Sequence, residues 1–213
     1  MNFDRLAPHY DWLEAVTAGP RLQRARTHWM ETLAGCQRVL SVGEGHGRFA
    51  EAFAMRFPNI ELTCVEGSQA MLTRAKKRVG DGSAKINWMQ ADLLFWEAPK
   101  KYDAIVTCFV LDCFPADTLA KIIAKLANCA TDDAAWLVAD FAIPQRGLAH
   151  YRARIVHRLM YAFFRLVVGL PAKRLVAPDD LLKTHGFYLT SRRESEWGLL
   201  RTDLWYRGSR GDF

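Results

Sequence analysis

This sequence predicts an α/β fold built on a mostly parallel sheet, on three observations. A short β-branched strand, Val39 to Val42, runs into Gly43-Glu44-Gly45-His46-Gly47 and then into a helical pattern. Glycine is needed where the backbone takes positive φ or another molecule approaches without a Cβ in the way. Such a turn marks the carboxyl edge of a parallel sheet, where open α/β folds bind ligands. A second strand, Ile60 to Val65, ends at Glu66, 19 residues after Gly47, where an acid can accept hydrogen bonds from a ribose diol. A third strand, Lys85 to Gln90, leads to Asp92, whose carboxylate can accept from an exocyclic amine of a purine. The glycine spacing is G-x-G-x-G. A dinucleotide fold wants G-x-G-x-x-G/A, and its third small residue falls here on Arg48, which argues against a pyrophosphate cradle. Together the three features favour a nucleoside site.

The remaining elements follow in alternation. Gly19 to Ala34 is a helical stretch rich in arginine. Strands are expected near 38–42, 60–65, 85–90, 102–108 and 135–141, and helices near 47–56, 68–79, 116–130, 148–168 and 178–185. Ser68 is a fitting N-cap for the helix through Met71, Leu72 and Ala75. Pro178 before Asp179-Asp180 suits a helix start, with the acids favoured by the dipole, and Gly186 ends that helix. Phe187 to Arg192 and Thr202 to Arg207 are two further strands, joined by about nine residues.

These residues resemble the class I S-adenosylmethionine-dependent methyltransferases. The family's first motif is similar to Gly43, Gly45 and Gly47, its ribose acid to Glu66, and its adenine-side acid to Asp92. Its fourth strand resembles Tyr102 to Phe109. The segment Phe3 to Asp11 resembles the opening of the quinone-biosynthesis C-methyltransferases, where it covers the cofactor; the matching residue is Tyr10. The family's acid at the end of the first strand is replaced by Ser41, and the resemblance to its G-E-G variants offers Glu44 to the methionine ammonium, with a solvated Glu44 as the alternative. The resemblance implies S-adenosylmethionine as cofactor, with Gly67, Ser68, Met71, Leu93, Cys108 and Phe109 completing its site. It also implies a Rossmann-like seven-stranded sheet of order 3-2-1-4-5-7-6, strand 7 antiparallel, with helices on both faces. The whole of 1–213 is expected to form one domain, with a helical cover at 1–35 and a basic amphipathic lid at 144–176.

Composition bounds the rest. Half of the 213 residues are apolar and 24% are charged, as in an ordinary soluble α/β domain. The five cysteines are odd in number and lack C-x-x-C spacing, so they are expected as reduced thiols in a cytoplasmic protein that holds no metal. The net charge of +6 is localised. Seven basic residues and no acid lie between Pro144 and Val176, leaving 22 basic and 23 acidic residues elsewhere. In that segment Leu148, Tyr151, Ile155, Leu159, Ala162 or Phe163, and Leu166 recur at helical steps. Three readings stand side by side: a lid packed on the sheet edge with a solvated basic face, a lid that lines an apolar pocket and rests on anionic lipid as a peripheral contact, and a nucleic-acid groove.

The chemistry expected is in-line methyl transfer. Holding two reactants in attack geometry supplies roughly 7–11 kcal/mol of such a barrier, and a general base adds about 10²–10⁴-fold where a proton must leave. Asp112, beyond the fourth strand, is the first candidate base; His150 and Tyr151 on the lid are weaker ones. Methyltransferases acting on adenine or glutamine amides carry Asn/Asp-Pro-Pro-Tyr/Phe after that strand. Here the run is Cys108-Phe109-Val110-Leu111-Asp112-Cys113-Phe114, which disfavours amine methylation of nucleic acid. The aromatic lid favours a small or lipid-like apolar acceptor, methylated on oxygen or carbon. Two rival classes are a non-catalytic nucleoside-binding protein and a nicotinamide-dependent oxidoreductase.

Overall fold

The computed structural model describes residues 19–80, 85–172 and 174–208. Seven strands form one sheet: β1 (Arg38–Val42), β2 (Glu61–Glu66), β3 (Ile86–Gln90), β4 (Tyr102–Cys108), β5 (Ala130–Phe141), β6 (Phe187–Ser195) and β7 (Leu200–Arg207). Their order is β3-β2-β1-β4-β5-β7-β6. β7 runs antiparallel to β5 and β6, and the other pairings are parallel. The helices are α1 (Gly19–Thr27), α2 (Arg48–Arg56), α3 (Gln69–Val79), α4 (Ala116–Asn128), α5 (Gly147–Val168) and α6 (Asp179–Thr184). This is the expected sheet. β5 begins five residues earlier than the sequence predicts, and the terminal hairpin turns through only Glu196 to Leu199 instead of about nine residues. The tight turn is reached with positive φ at Glu196 (55°), Trp197 (61°) and Gly198 (76°).

Period-two alternation sorts the strand residues onto two faces. Leu40, Val42, Ile105, Trp136 and Val138 join α4 residues such as Leu119, Ile122 and Leu126 in one core. Val39, Leu62, Ala104, Val106 and Leu137 pack on the opposite face against Phe49 and Phe53 of α2. An ion-pair cluster fastens α6 to the hairpin. Arg192 makes two 2.7 Å bonds to the fully buried Asp203, and Arg201 reaches Asp179 at 2.8 Å.

The α5 element departs from the packed-lid expectation. Its inward side is Ala153, His157, Tyr161 and Val168. The stripe Leu148, Tyr151, Ile155, Leu159, Phe163 and Leu166 faces outward, with Leu166 88% exposed. Met160, Phe164 and Val167 pack inward as well. α5 is therefore apolar around most of its circumference, and periodicity alone does not say which stripe is buried.

Candidate functional site

The parallel register brings the ends of β1, β2, β3 and β4 to one sheet edge, and the cavity there is framed by those four tips. Each glycine of the turn has positive φ: 66° at Gly43, 63° at Gly45 and 88° at Gly47. Their reasons differ. A Cβ on Gly43 would sit 2.4 Å from Val110 Cγ2, and one on Gly47 would sit 2.7 Å from Ala75 Cα. Both glycines exist for packing. A Cβ on Gly45 would meet nothing within 4 Å beyond its chain neighbours, and Gly45 lines the cavity with its bare backbone.

Glu66 lies against that backbone. Its Oε2 accepts from the Gly45 amide at 2.9 Å and its Oε1 from the Ser68 amide at 2.8 Å. The carboxylate is buried, oriented and still lines the cavity. Ser68 caps α3, its Oγ accepting from the Met71 amide at 3.2 Å, which sets Met71 beside Gly67 on the same wall. Asp92 stands at the exposed rim, its Oδ1 accepting from Leu94 N at 2.9 Å, with Leu93 buried behind it. Gly43, Glu44, Gly45, Glu66, Gly67, Ser68, Met71, Asp92, Leu93, Cys108 and Phe109 all line this cavity, and Gly47 supports it through α3. Tyr10 lies outside the described residues.

Glu44 is buried and engaged within the chain, not solvated. Its Oε2 accepts from Ser41 Oγ at 2.5 Å, and its Oε1 from the Ala50 amide at 2.8 Å. Ser41 thus holds the carboxylate of Glu44, three residues on, at the end of β1. Burial raises the Glu44 carboxyl to about 7, against the lowering effects of those two hydrogen bonds and of Arg26.

Arg26 escapes sequence reasoning altogether. It is buried at the carboxyl end of α1, lines the cavity, and its guanidinium lies 5.1 Å from the Phe109 ring centroid. It is one of three arginines in α1, and nothing in their spacing separates it from the others. Phe109 itself holds φ 55°, strained for a residue with a Cβ. Val110, Cys113 and Phe114 supply an apolar wall beyond it.

The three candidate bases do not line the cavity. Asp112 sits behind Cys113, its amide donating to Asp140 Oδ2 at 3.2 Å and its carboxyl in hydrogen-bond contact with Asp140. Burial raises both carboxyls, and Asp112 raises Asp140 further by like charge. Tyr161 of α5 donates to the Asp112 carbonyl at 2.9 Å. His150 contacts the Pro144 carbonyl through Nδ1 at 2.8 Å, and Tyr151 is 66% exposed.

Against this geometry, a family profile described as a methyltransferase domain matches residues 39–133, from β1 into β5. The chain is 35% identical over 94 residues to a malonyl-[acyl-carrier protein] O-methyltransferase of Anoxybacillus flavithermus, covering 43% of this chain and 35% of that protein. The chain thus spans about a third of that relative's length. The solved mitomycin 7-O-methyltransferase superposes with a TM-score of 0.69 at 19% identity, over 92% of this chain and 60% of that one. The magnesium protoporphyrin IX methyltransferase of Synechocystis, solved with S-adenosylhomocysteine, gives 0.63 at 19% identity, over 88% and 84%. At such identities the likeness concerns the fold. Residues 39–133 match a methyltransferase-domain profile, and the sheet order, the glycine turn and its two strand-tip acids agree with that match.

Proposed function

We propose that this protein transfers the methyl group of S-adenosylmethionine to an oxygen or carbon nucleophile of a small or lipid-like apolar acceptor. One observation carries the reading. The Gly45 backbone opens onto the cavity with no Cβ, and the Glu66 carboxylate is held against it by two amides, which fits a nucleoside with a free diol. When bound, the cofactor supplies an electrophilic methyl. Glu66 would accept from the ribose hydroxyls, and Asp92 from the adenine amine. Glu44 lies on the side suited to an ammonium group, while Arg26 offers a buried cation to a carboxylate. These roles use the opposite charges of the α-ammonium and α-carboxylate of one amino acid, and Arg26 and Glu44 are close enough to influence each other.

The acceptor side is the apolar wall of Val110, Cys113 and Phe114. Among the relatives, one is named for O-methylation of a malonyl-[acyl-carrier protein] and another for methylation of demethylmenaquinone, which supports an oxygen or carbon nucleophile without specifying it. Asp112, bonded through its amide to Asp140 and adjacent in sequence to Cys113 of that wall, is the acid proposed as proton acceptor. Calorimetry with S-adenosylmethionine tests the reading. Glu66→Ala should weaken affinity more than about tenfold, because charge-assisted bonds to both hydroxyls are lost. Glu66→Gln, which keeps an acceptor for one amide, should fall between. Unchanged dissociation constants for both, or preferential binding of NADH, would defeat it. Asp112→Asn should keep the affinity and slow turnover of a labelled acceptor; equal turnover removes it as base.

A further inference from the structure

We propose that the outer face of α5, together with Trp197, is a docking surface for an anionic lipid bilayer. Ten large hydrophobic side chains are prominently exposed among the described residues, and seven of them lie on this surface: the six of the α5 stripe and Trp197. Their clustering is what sets the face apart, since single exposed apolar residues are ordinary. The stripe runs from Leu148 to Leu166 along most of the 22-residue α5, about 27 Å at 1.5 Å per residue.

The charge identifies the occupant. Arg154, Arg158 and Arg165 border the stripe on one side and Arg152 interrupts it, all exposed, and no acid lies between Pro144 and Val176. A second copy of this chain would set these arginines against their own kind. An anionic headgroup layer would neutralise them while the stripe enters the acyl boundary, as in interfacial helices. A nucleic acid would take the arginines but leave the stripe in water. No helix of the described residues is long and apolar enough to cross a membrane, so α5 would lie along the surface.

Trp197 is built into the same face. The strained hairpin turn presents it 75% exposed, and Arg152 ties it to α5 by donating to the Glu196 carbonyl at 3.1 Å, with its guanidinium 5.6 Å from the indole centroid. An amphipathic indole beside cations suits the headgroup level. This surface is argued independently of the cavity and of whatever acceptor it takes.

The test is sedimentation of the full chain with vesicles of phosphatidylcholine alone and of phosphatidylcholine with a third phosphatidylglycerol, at low and high salt. Partitioning onto the anionic vesicles should exceed that onto neutral ones at least about tenfold and should weaken at high salt. Leu159→Glu with Leu166→Glu should cut anionic binding at least about tenfold, with melting temperature and S-adenosylmethionine affinity unchanged. Arg154→Gln, Arg158→Gln and Arg165→Gln together should abolish the preference for anionic vesicles. Equal binding to both vesicle types, or to neither, overturns the proposal. So does a lipid-free dimer that the double glutamate variant dissociates, or tighter binding to a single-stranded RNA oligonucleotide than to vesicles. Vesicle binding that emerges only after removal of residues 1–18 would assign the face to that segment and overturn it equally.

Discussion

The strand-tip rim and the outer face of α5 are opposite solutions to exposing groups for a ligand. At the rim, polar groups are buried yet held: Glu66 by two amides, Glu44 by a hydroxyl and an amide. On α5, apolar groups are exposed and nothing among the described residues covers them. The rim is fixed before any ligand arrives, so its substitutions should act on both folding and affinity. The α5 face contributes little to folding, so its substitutions should act on association alone.

The sharpest way to break that contrast lies within the rim, between two glycines. Gly47→Ala adds a Cβ 2.7 Å from the α3 backbone at φ 88°, and should destabilise the fold by about 2–4 kcal/mol. Gly45→Ala also has positive φ but meets open space, so it should cost only about 1–2 kcal/mol. The affinities should run the other way, with Gly45→Ala weakening S-adenosylmethionine more than about tenfold by intruding on the open backbone. Urea melts and calorimetry on both variants decide it; equal stability losses would show that the turn does not divide into packing and binding positions.

That division explains what the sequence could disclose. The rim is specified locally, since a β-strand, a turn requiring positive φ and an acid at the next strand tip each leave a mark within a few residues. Most strand and helix positions were legible for the same reason, whereas the sheet order came from the family resemblance. Arg26 was not, because only the fold carries an α1 residue to the cavity. The base candidates were harder to place: Asp112 is near the cavity in sequence, but the short turn Leu111–Cys113 sets its amide on Asp140 and leaves the residue off the cavity lining. On α5 the period was right and the buried face was not, because inward residues such as Ala153, His157 and Tyr161 are smaller or more polar than the outward leucines.

A second test exploits the strain in Glu44. Its carboxyl is raised from 4.5 to about 7 by burial, so the fold favours the neutral acid. A raised folded value contributes stability that is complete below about 4.5 and is lost as pH rises through about 7. Glu44→Gln should therefore be nearly neutral at pH 4.5 and stabilise by up to about 3 kcal/mol at pH 8, at about 1.36 kcal/mol per unit. If Glu44 serves an ammonium, the same variant should bind S-adenosylmethionine more weakly at pH 8, trading function for stability. A gain in stability with intact affinity would leave Glu44 as a purely structural strut beneath Ser41.

The smallest effects test the orientation of α5. Tyr161→Phe removes the bond to the Asp112 carbonyl and leaves that buried acceptor unpaired, which should cost about 1–2 kcal/mol. Leu166→Ser removes a larger apolar group, yet the side chain is already in water, so the change should stay within about 0.5 kcal/mol. An ordinary amphipathic helix on a sheet edge would give the reverse ranking, with leucine outweighing a hydroxyl. Thermal melts of the two variants side by side therefore read out which stripe of α5 faces the protein. Only the predicted ranking leaves Leu148 to Leu166 free for another surface.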